Sequence, residues 1–401
     1  LIVGNDEQFP FYRHLDPYNG EKNWEGSFPG GDKGNPALRA CFNNCYLTDD
    51  FYASLVNLVI SAPWKEGDVD LTVGRIIGDS AADMRQLYLN GHYETGHTYR
   101  SVMASVDGWE LGYEPSAGGA GEINDFINVP QKMISRGFSV FRDTEVPRTI
   151  DVLAPYAANW ATKFQESANG GMDLFFIGGH NSYNGASIPK DSFDPSDVPS
   201  KYTRFDSDRP IAMITGCHGG LPVPNVGWGG GANNSMVYNV IHNGARAYFG
   251  ASGYSYGSPG SLQHCTFAER YLQIIFWRMF AEMGTQTYPI GDAIKYAKTH
   301  WTFGIGNDAN LDKKTVTEYN LFGIPWQRMK YPGFFINLFR RKDDKKPLLP
   351  KSLEQKTTLA ISPRSVKQLS ANTYEQSFEV NTESFTPANL EGFEIINIPD
   401  G

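Results

Sequence analysis

The chain is poor in cysteine, in basic charge and in long apolar runs. Its 401 residues hold four cysteines, Cys41, Cys45, Cys217 and Cys265. That is too few for a disulfide scaffold. Cys41 and Cys45 either pair or remain thiols, and the nearby "FNN" and "YLTDD" supply no second Cys/His pair for zinc. Cys265 sits in an apolar helical pattern and reads as a core thiol. No apolar run approaches the roughly 18–20 residues that span a bilayer. The formal net charge is −9, and the one basic cluster, "RRKDDKK" at Arg340–Lys346, is broken by two aspartates. Both argue against a phosphate-tracking, nucleic-acid-binding role. No internal repeat is present. The opening "LIVGNDEQFP" reads as a strand entering a turn, without a charged n-region or cleavage site, which leads to the expectation of a mature or trimmed fragment.

What is present suits a thick, aromatic-rich core: 40% hydrophobic, 13% aromatic and 20% charged residues. The length allows more than one domain. Residues 1–95 are rich in turns, with short strand-like runs at Leu1–Val3 and Asp70–Val73. A helix then follows in "SAADMRQLYLNG", with Ser80 as N-cap and Gly91 beyond its end. Residues 96–340 alternate strands with helices. "GFSVFRD", "MDLFFIGG", "PIAMITG" and "ARAYFGAS" read as strands. "NSMVYNVIHNG" is an amphipathic helix with Met236, Val237, Val240 and Ile241 on one face and Gly244 as its stop. Further helices are expected in "TIDVLAPYAANWATKFQESANGG", with Pro155 near its first turn, around Cys265 and in "IGDAIKYAKTHW". Continuous apolar strands between helices predict an α/β domain: a mostly parallel sheet flanked by helices on both faces. Residues 345–401 alternate polar and apolar positions between turn signals, as in an antiparallel β module, and end abruptly at Gly401.

Two strands end in chemistry. "MDLFFIGGHNSYNG" carries His180 past a glycine pair, and "RPIAMITGCHGG" carries Cys217 between glycines. Ligands of parallel α/β sheets bind outside the carboxyl ends of the strands. The two residues are 37 positions apart, enough for a crossover between neighbouring strands. If the strands are neighbours, thiol and imidazole share one rim. An imidazole there would take the thiol proton, and glycine-rich backbone leaves N–H groups for an oxyanion. His218 competes for the role of base. Adjacent side chains on extended backbone point apart, so His180 is preferred and His218 is expected as a wall residue.

These blocks resemble the gingipain family of cysteine peptidases, within the wider caspase-like clan. "FFIGGHNS" and "IAMITGCHGG" are similar to its His and Cys blocks. "YLTDDFYA", "DVDLTVGRIIGDSAADM", "GARAYFGASGYSYGS" and "YNLFGIPWQRM" are similar to its flanking blocks, over roughly residues 1–335. Two positions depart from the family pattern: Asn181 stands where Gly usually follows the His, and Ile324 stands in place of Asp in the closing block. The resemblance implies a caspase-like fold followed by an immunoglobulin-like module. It implies a cysteine endopeptidase with Cys217 as nucleophile, His180 as base and acid, and oxyanion donors from the Cys217 and Asn181 backbone. By register Glu110, with Glu114 as alternative, would orient the His. Glu122 and Asp125 would meet a basic P1 side chain, Arg or Lys. Tyr254 and Tyr256 would wall the pocket or pack in the core. No cofactor is required for the chemistry. Structural calcium is implied, with Asp49, Asp50, Asp68 and Asp70 as oxygen donors of the right type. The expected protein is a secreted or cell-surface monomer acting on protein or peptide substrates. The competing reading is a non-catalytic adhesion or binding protein on the same scaffold, with "NVGWGGGANNS" covering the cleft.

Overall fold

Where the sequence is apolar without interruption, the chain forms strands buried on both faces. The computed structural model describes residues 1–18, 35–54, 69–93, 100–105, 139–141, 160–178, 180–188, 191–223, 235–255, 289–301, 309–329, 361–370 and 373–380. Its central feature is an eight-stranded sheet. In chain order its strands are β1 (Ile2–Val3), β4 (Arg75–Ile76), β5 (Arg100–Ser105), β6 (Ser139–Phe141), β7 (Leu174–Gly178), β11 (Ile211–Thr215), β12 (Ala247–Ala251) and β13 (Tyr319–Gly323). They lie in the order β1-β4-β13-β12-β11-β7-β5-β6. Every junction is parallel except β12–β13, which is antiparallel. The expected mostly parallel α/β sheet is therefore present. β7, β12 and β13 are buried along their whole length, as sheets covered on both faces require.

The smaller sheets are β2 (Tyr12–Leu15) with β3 (Cys45–Thr48), β8 (Asn181–Ser182) with β9 (Gly185–Ile188) and β10 (Asp191–Phe193), and the hairpin β14 (Ile361–Ser370) with β15 (Thr373–Val380). The boundary expected at 95–96 falls in 94–99, and that near 340–345 in 330–360, both outside the described residues. Strands from either side of residue 95 share the main sheet. Among the described residues no helix is long and apolar enough to cross a membrane.

Helix signals in the sequence act as expected. Ser80 caps Ala81–Gly91 by accepting from Asp83 N–H at 3.2 Å. The Met236–His242 helix buries Met236, Val237, Val240 and Ile241. Ile290–Trp301 buries Ile290, Ala293 and Ala297. Two local expectations are corrected. Asp70–Val73 is not a strand, because the N–H groups of Asp70 and Leu71 both donate to the Ala53 carbonyl, each at 3.0 Å. The strand begins later, at Arg75. Gly91 is the last helical residue, not one beyond the end. A Cβ on it would lie 2.5 Å from Ile324 Cγ1, so the apolar Ile324 packs where the helix has no side chain. Of the helix expected in "TIDVLAPYAANWATKFQESANGG", Trp160–Asn169 is helical and residues 149–159 lie outside the described residues, as does the helix expected around Cys265.

Buried ion pairs fasten the N-terminal segment to this frame. Arg75, fully buried on β4, donates through Nε to Asp49 Oδ2 at 2.8 Å and through Nη1 to the carbonyls of Gly4 and Phe9, while its guanidinium lies 3.7 Å from the Phe11 ring centroid. Lys298 contacts both Asp50 oxygens at 2.6 and 2.7 Å. Burial pushes the Asp50 carboxyl up to about 6 against the pull of Lys298. Lys314 contacts Asp16 at 2.6 Å with both side chains inaccessible. The desolvation cost of such pairs offsets much of their attraction, but losing one partner strands the other charge. Asp49→Ala should therefore lower the unfolding free energy by about 3–5 kcal/mol, read by urea denaturation. A loss below about 1 kcal/mol would show that Arg75 is not held by this carboxylate.

Candidate active site

The carboxyl ends of β5, β7, β11 and β12 form one rim. β11 pairs with β7 so that Thr215 lies opposite Gly178, and β7 pairs with β5 so that Gly178 lies opposite Ser105. His180 is two residues past Gly178, and Cys217 two past Thr215. Imidazole and thiol thus leave neighbouring strands at the same level, where backbones are about 4.8 Å apart. His180 is exposed and Cys217 partly buried.

The Cys217 turn is built by its glycines. Gly216 has φ +141°, a value side-chain-bearing residues rarely adopt. His218 follows at φ +56°, in the left-handed region that histidine tolerates better than most residues. His218 N–H donates to the Gly253 carbonyl at 2.8 Å, and Gly220 N–H to the Ala251 carbonyl at 2.7 Å. Tyr248 on β12 donates its hydroxyl to the Gly219 carbonyl. A Cβ on Gly220 would meet Gly250 backbone at 2.3 Å, so the turn lies directly on β12. The Cys217 thiol donates to the Ser255 carbonyl at 3.3 Å. His218 is buried edge-on against Tyr254, with centroids 4.8 Å apart. Its backbone forms a turn and not the extended conformation in which adjacent side chains point apart.

The His180 turn runs straight into the hairpin β8–β9, in which Asn181 faces Ala186. A Cβ on Gly219 would lie 3.6 Å from Asn181 Nδ2, so the segment after the histidine reaches the segment after the cysteine. Met236 N–H donates to the Tyr183 carbonyl at 2.7 Å, tying the hairpin turn to the next helix.

The other expected site residues divide by location. Tyr254 is half-buried beside His218. Glu110 follows β5, five residues beyond Ser105, and lies outside the described residues. So do Glu114, Glu122, Asp125, Tyr256 and Asp68. Asp49 and Asp50 are engaged by Arg75 and Lys298. Among the described residues no cluster of three or more His, Cys, Asp or Glu could hold a metal. Cys41 and Cys45 are separate thiols. Ser255, Tyr248 and Tyr319 were not picked out from the sequence. Ser255 follows Tyr254 and precedes Tyr256 in the sequence, and its hydroxyl meets Tyr319 because β12 and β13 are neighbours.

The fold is similar to that of solved cysteine proteinases. The crystal structure of the Arg-specific cysteine proteinase gingipain R matches with a TM-score of 0.50 at 13% identity, covering 82% of this chain and 63% of that one. The complex of Porphyromonas gingivalis RgpB pro- and mature domains matches with a TM-score of 0.47 at 15% identity, covering 82% and 64%. The chain thus spans less than two thirds of either structure's length. The first likeness shows the fold: a gingipain-type α/β sheet. No curated protein sequence matches. The family model for peptidase family C25 matches residues 1–330. The chain belongs to peptidase family C25.

The contact of Gly220 with β12 gives a test of the turn. Gly220→Ala should destabilise the protein by about 1–3 kcal/mol, because backbone has to move to admit the methyl. Gly185→Ala should be nearly neutral, since its Cβ would find its nearest neighbour at 3.5 Å. Thermal unfolding of the two variants reads the difference, and equal melting temperatures would contradict the close approach.

Proposed function

We propose that the protein is a cysteine endopeptidase. The reading rests on one observation above the others: in the β7–β11 register Gly178, two residues before His180, pairs with Thr215, two residues before Cys217. Membership of family C25 supports it.

In this reading His180 removes the Cys217 proton and the thiolate attacks the peptide carbonyl carbon. A C–S bond forms, and the carbonyl π electrons move to oxygen, where the Cys217 and Asn181 N–H groups donate. Collapse breaks the C–N bond, and the amine leaves with the proton held by His180. Water, deprotonated by His180, then attacks the thioester; a C–O bond forms and the C–S bond breaks. Glu110 orients the imidazole in this scheme. Glu122 and Asp125 select Arg or Lys at P1 through charge-assisted bonds, with Tyr254 and Tyr256 along the pocket. Gingipain R, whose solved structure has a similar fold, is Arg-specific. Calcium enters no step. The substrates are proteins or peptides, the setting is extracellular and the enzyme is a monomer. The β14–β15 hairpin belongs to an immunoglobulin-like module.

A lysine- or arginine-directed acyloxymethyl ketone should label the protein on Cys217. Cys217→Ala should abolish labelling, and His180→Ala should lower peptide cleavage by at least about 10³-fold. A P1-varied peptide library reads specificity. Absence of labelling and cleavage in folded protein would favour the adhesion-type reading, and preference for acidic or apolar P1 would remove the role of Glu122 and Asp125.

A further inference from the structure

We propose that Tyr319 is a positioning residue for Cys217, acting through Ser255. The inference rests on Cys217 being the nucleophile. The Cys217 thiol donates to the Ser255 carbonyl at 3.3 Å. A carbonyl oxygen facing sulfur stabilises the protonated thiol and opposes the thiolate, so its placement tunes how readily the proton leaves. That placement is set from the far side of the residue. The Ser255 hydroxyl and the Tyr319 hydroxyl are hydrogen-bonded at 2.8 Å, and both residues are buried.

The phenol is itself fixed. The Tyr319 ring stacks on Phe249 with centroids 5.3 Å apart. Its backbone pairs with Ala251 across the antiparallel junction of the sheet. Its carbonyl accepts from Lys298 Nζ at 3.0 Å, and Lys298 is ion-paired with Asp50. The same short segment is held at two further points, Ser252 N–H to the Glu318 carbonyl at 2.9 Å and the Gly253 carbonyl to His218 N–H at 2.8 Å. Segment 252–255 is therefore a splint between β13 and the nucleophile turn. Tyr319 holds the end that touches sulfur. Its effect on the reaction is to keep the resting thiol protonated and aimed until the proton passes to His180.

Tyr319→Phe removes one oxygen and keeps the ring, the stack and the backbone pairing. Ser255→Ala cuts the same link from the other end. The rate of Cys217 alkylation by iodoacetamide, read on the Cys217-containing peptide by mass spectrometry across pH 5–9, reports the thiol directly and needs no turnover. In either variant the profile should move to lower pH, with alkylation at pH 7 about threefold faster. The double variant should match the single ones, because one link has been removed twice. Profiles that superpose on that of the parent chain, with only a lower melting temperature, would overturn the proposal. If Cys217 carries no catalysis, cleavage is absent from the parent chain while the profile still shifts. If the link does nothing, cleavage persists and the profile stays still.

Discussion

The parallel pairing of β7 with β11 is the constraint on which the rest depends. Parallel strands in one sheet point their carboxyl ends the same way, and the register decides which residues emerge together. Here Thr215 faces Gly178, so the second residue past each strand is the one that carries chemistry. A slip of one residue would turn every side chain of a strand to the opposite face and separate the tips in height. β7 and β11 bury Leu174, Phe175, Ile177, Ile211, Ala212 and Ile214 on the two covered faces, so a slip would require both faces to be repacked.

The rim is then shaped by what stands next to it. β12 supplies a floor without a side chain at Gly250, which lets the Gly219–Gly220 backbone sit against the sheet. β13, entering antiparallel, brings Tyr319 under the end of β12. The N-terminal segment is attached from below: Leu47 exchanges hydrogen bonds with Ser252 and also accepts from Asn320, and Asp49 N–H donates to Asn320. The buried pairs Asp16–Lys314, Asp49–Arg75 and Asp50–Lys298 belong to this attachment. Polar groups that are expensive to bury thus lie between the N-terminal segment and the sheet, where each satisfies a partner distant in sequence.

Much of this was legible in the amino-acid sequence. Unbroken apolar runs located β7, β11 and β12, and the glycine-flanked His180 and Cys217 marked a common rim. Ser80, Gly244 and the apolar face of Met236–His242 bounded helices correctly. The rest was not legible, because it depends on contacts between distant segments. "YNLFG" reads as an apolar block, but nothing local says that it slots between β4 and β12 with reversed direction. Lys298 and Lys314 lie on helices whose periodicity suggests solvent-facing charge; their burial follows from Asp50 and Asp16, more than 240 residues away. Asp70–Val73 has the composition of a strand, yet its N–H groups go to Ala53. Ser255 has no distinguishing sequence signal at all.

The most direct test of the account is a cross-link across the rim. A disulfide forms only between positions whose Cα atoms lie about 4.4–6.8 Å apart. His180→Cys, made in the full chain and mildly oxidised, should yield a disulfide between position 180 and Cys217, identified by peptide mapping. Two freely alkylated thiols at those positions, in a folded protein that forms no such bridge, would contradict the claim that both side chains face one cleft.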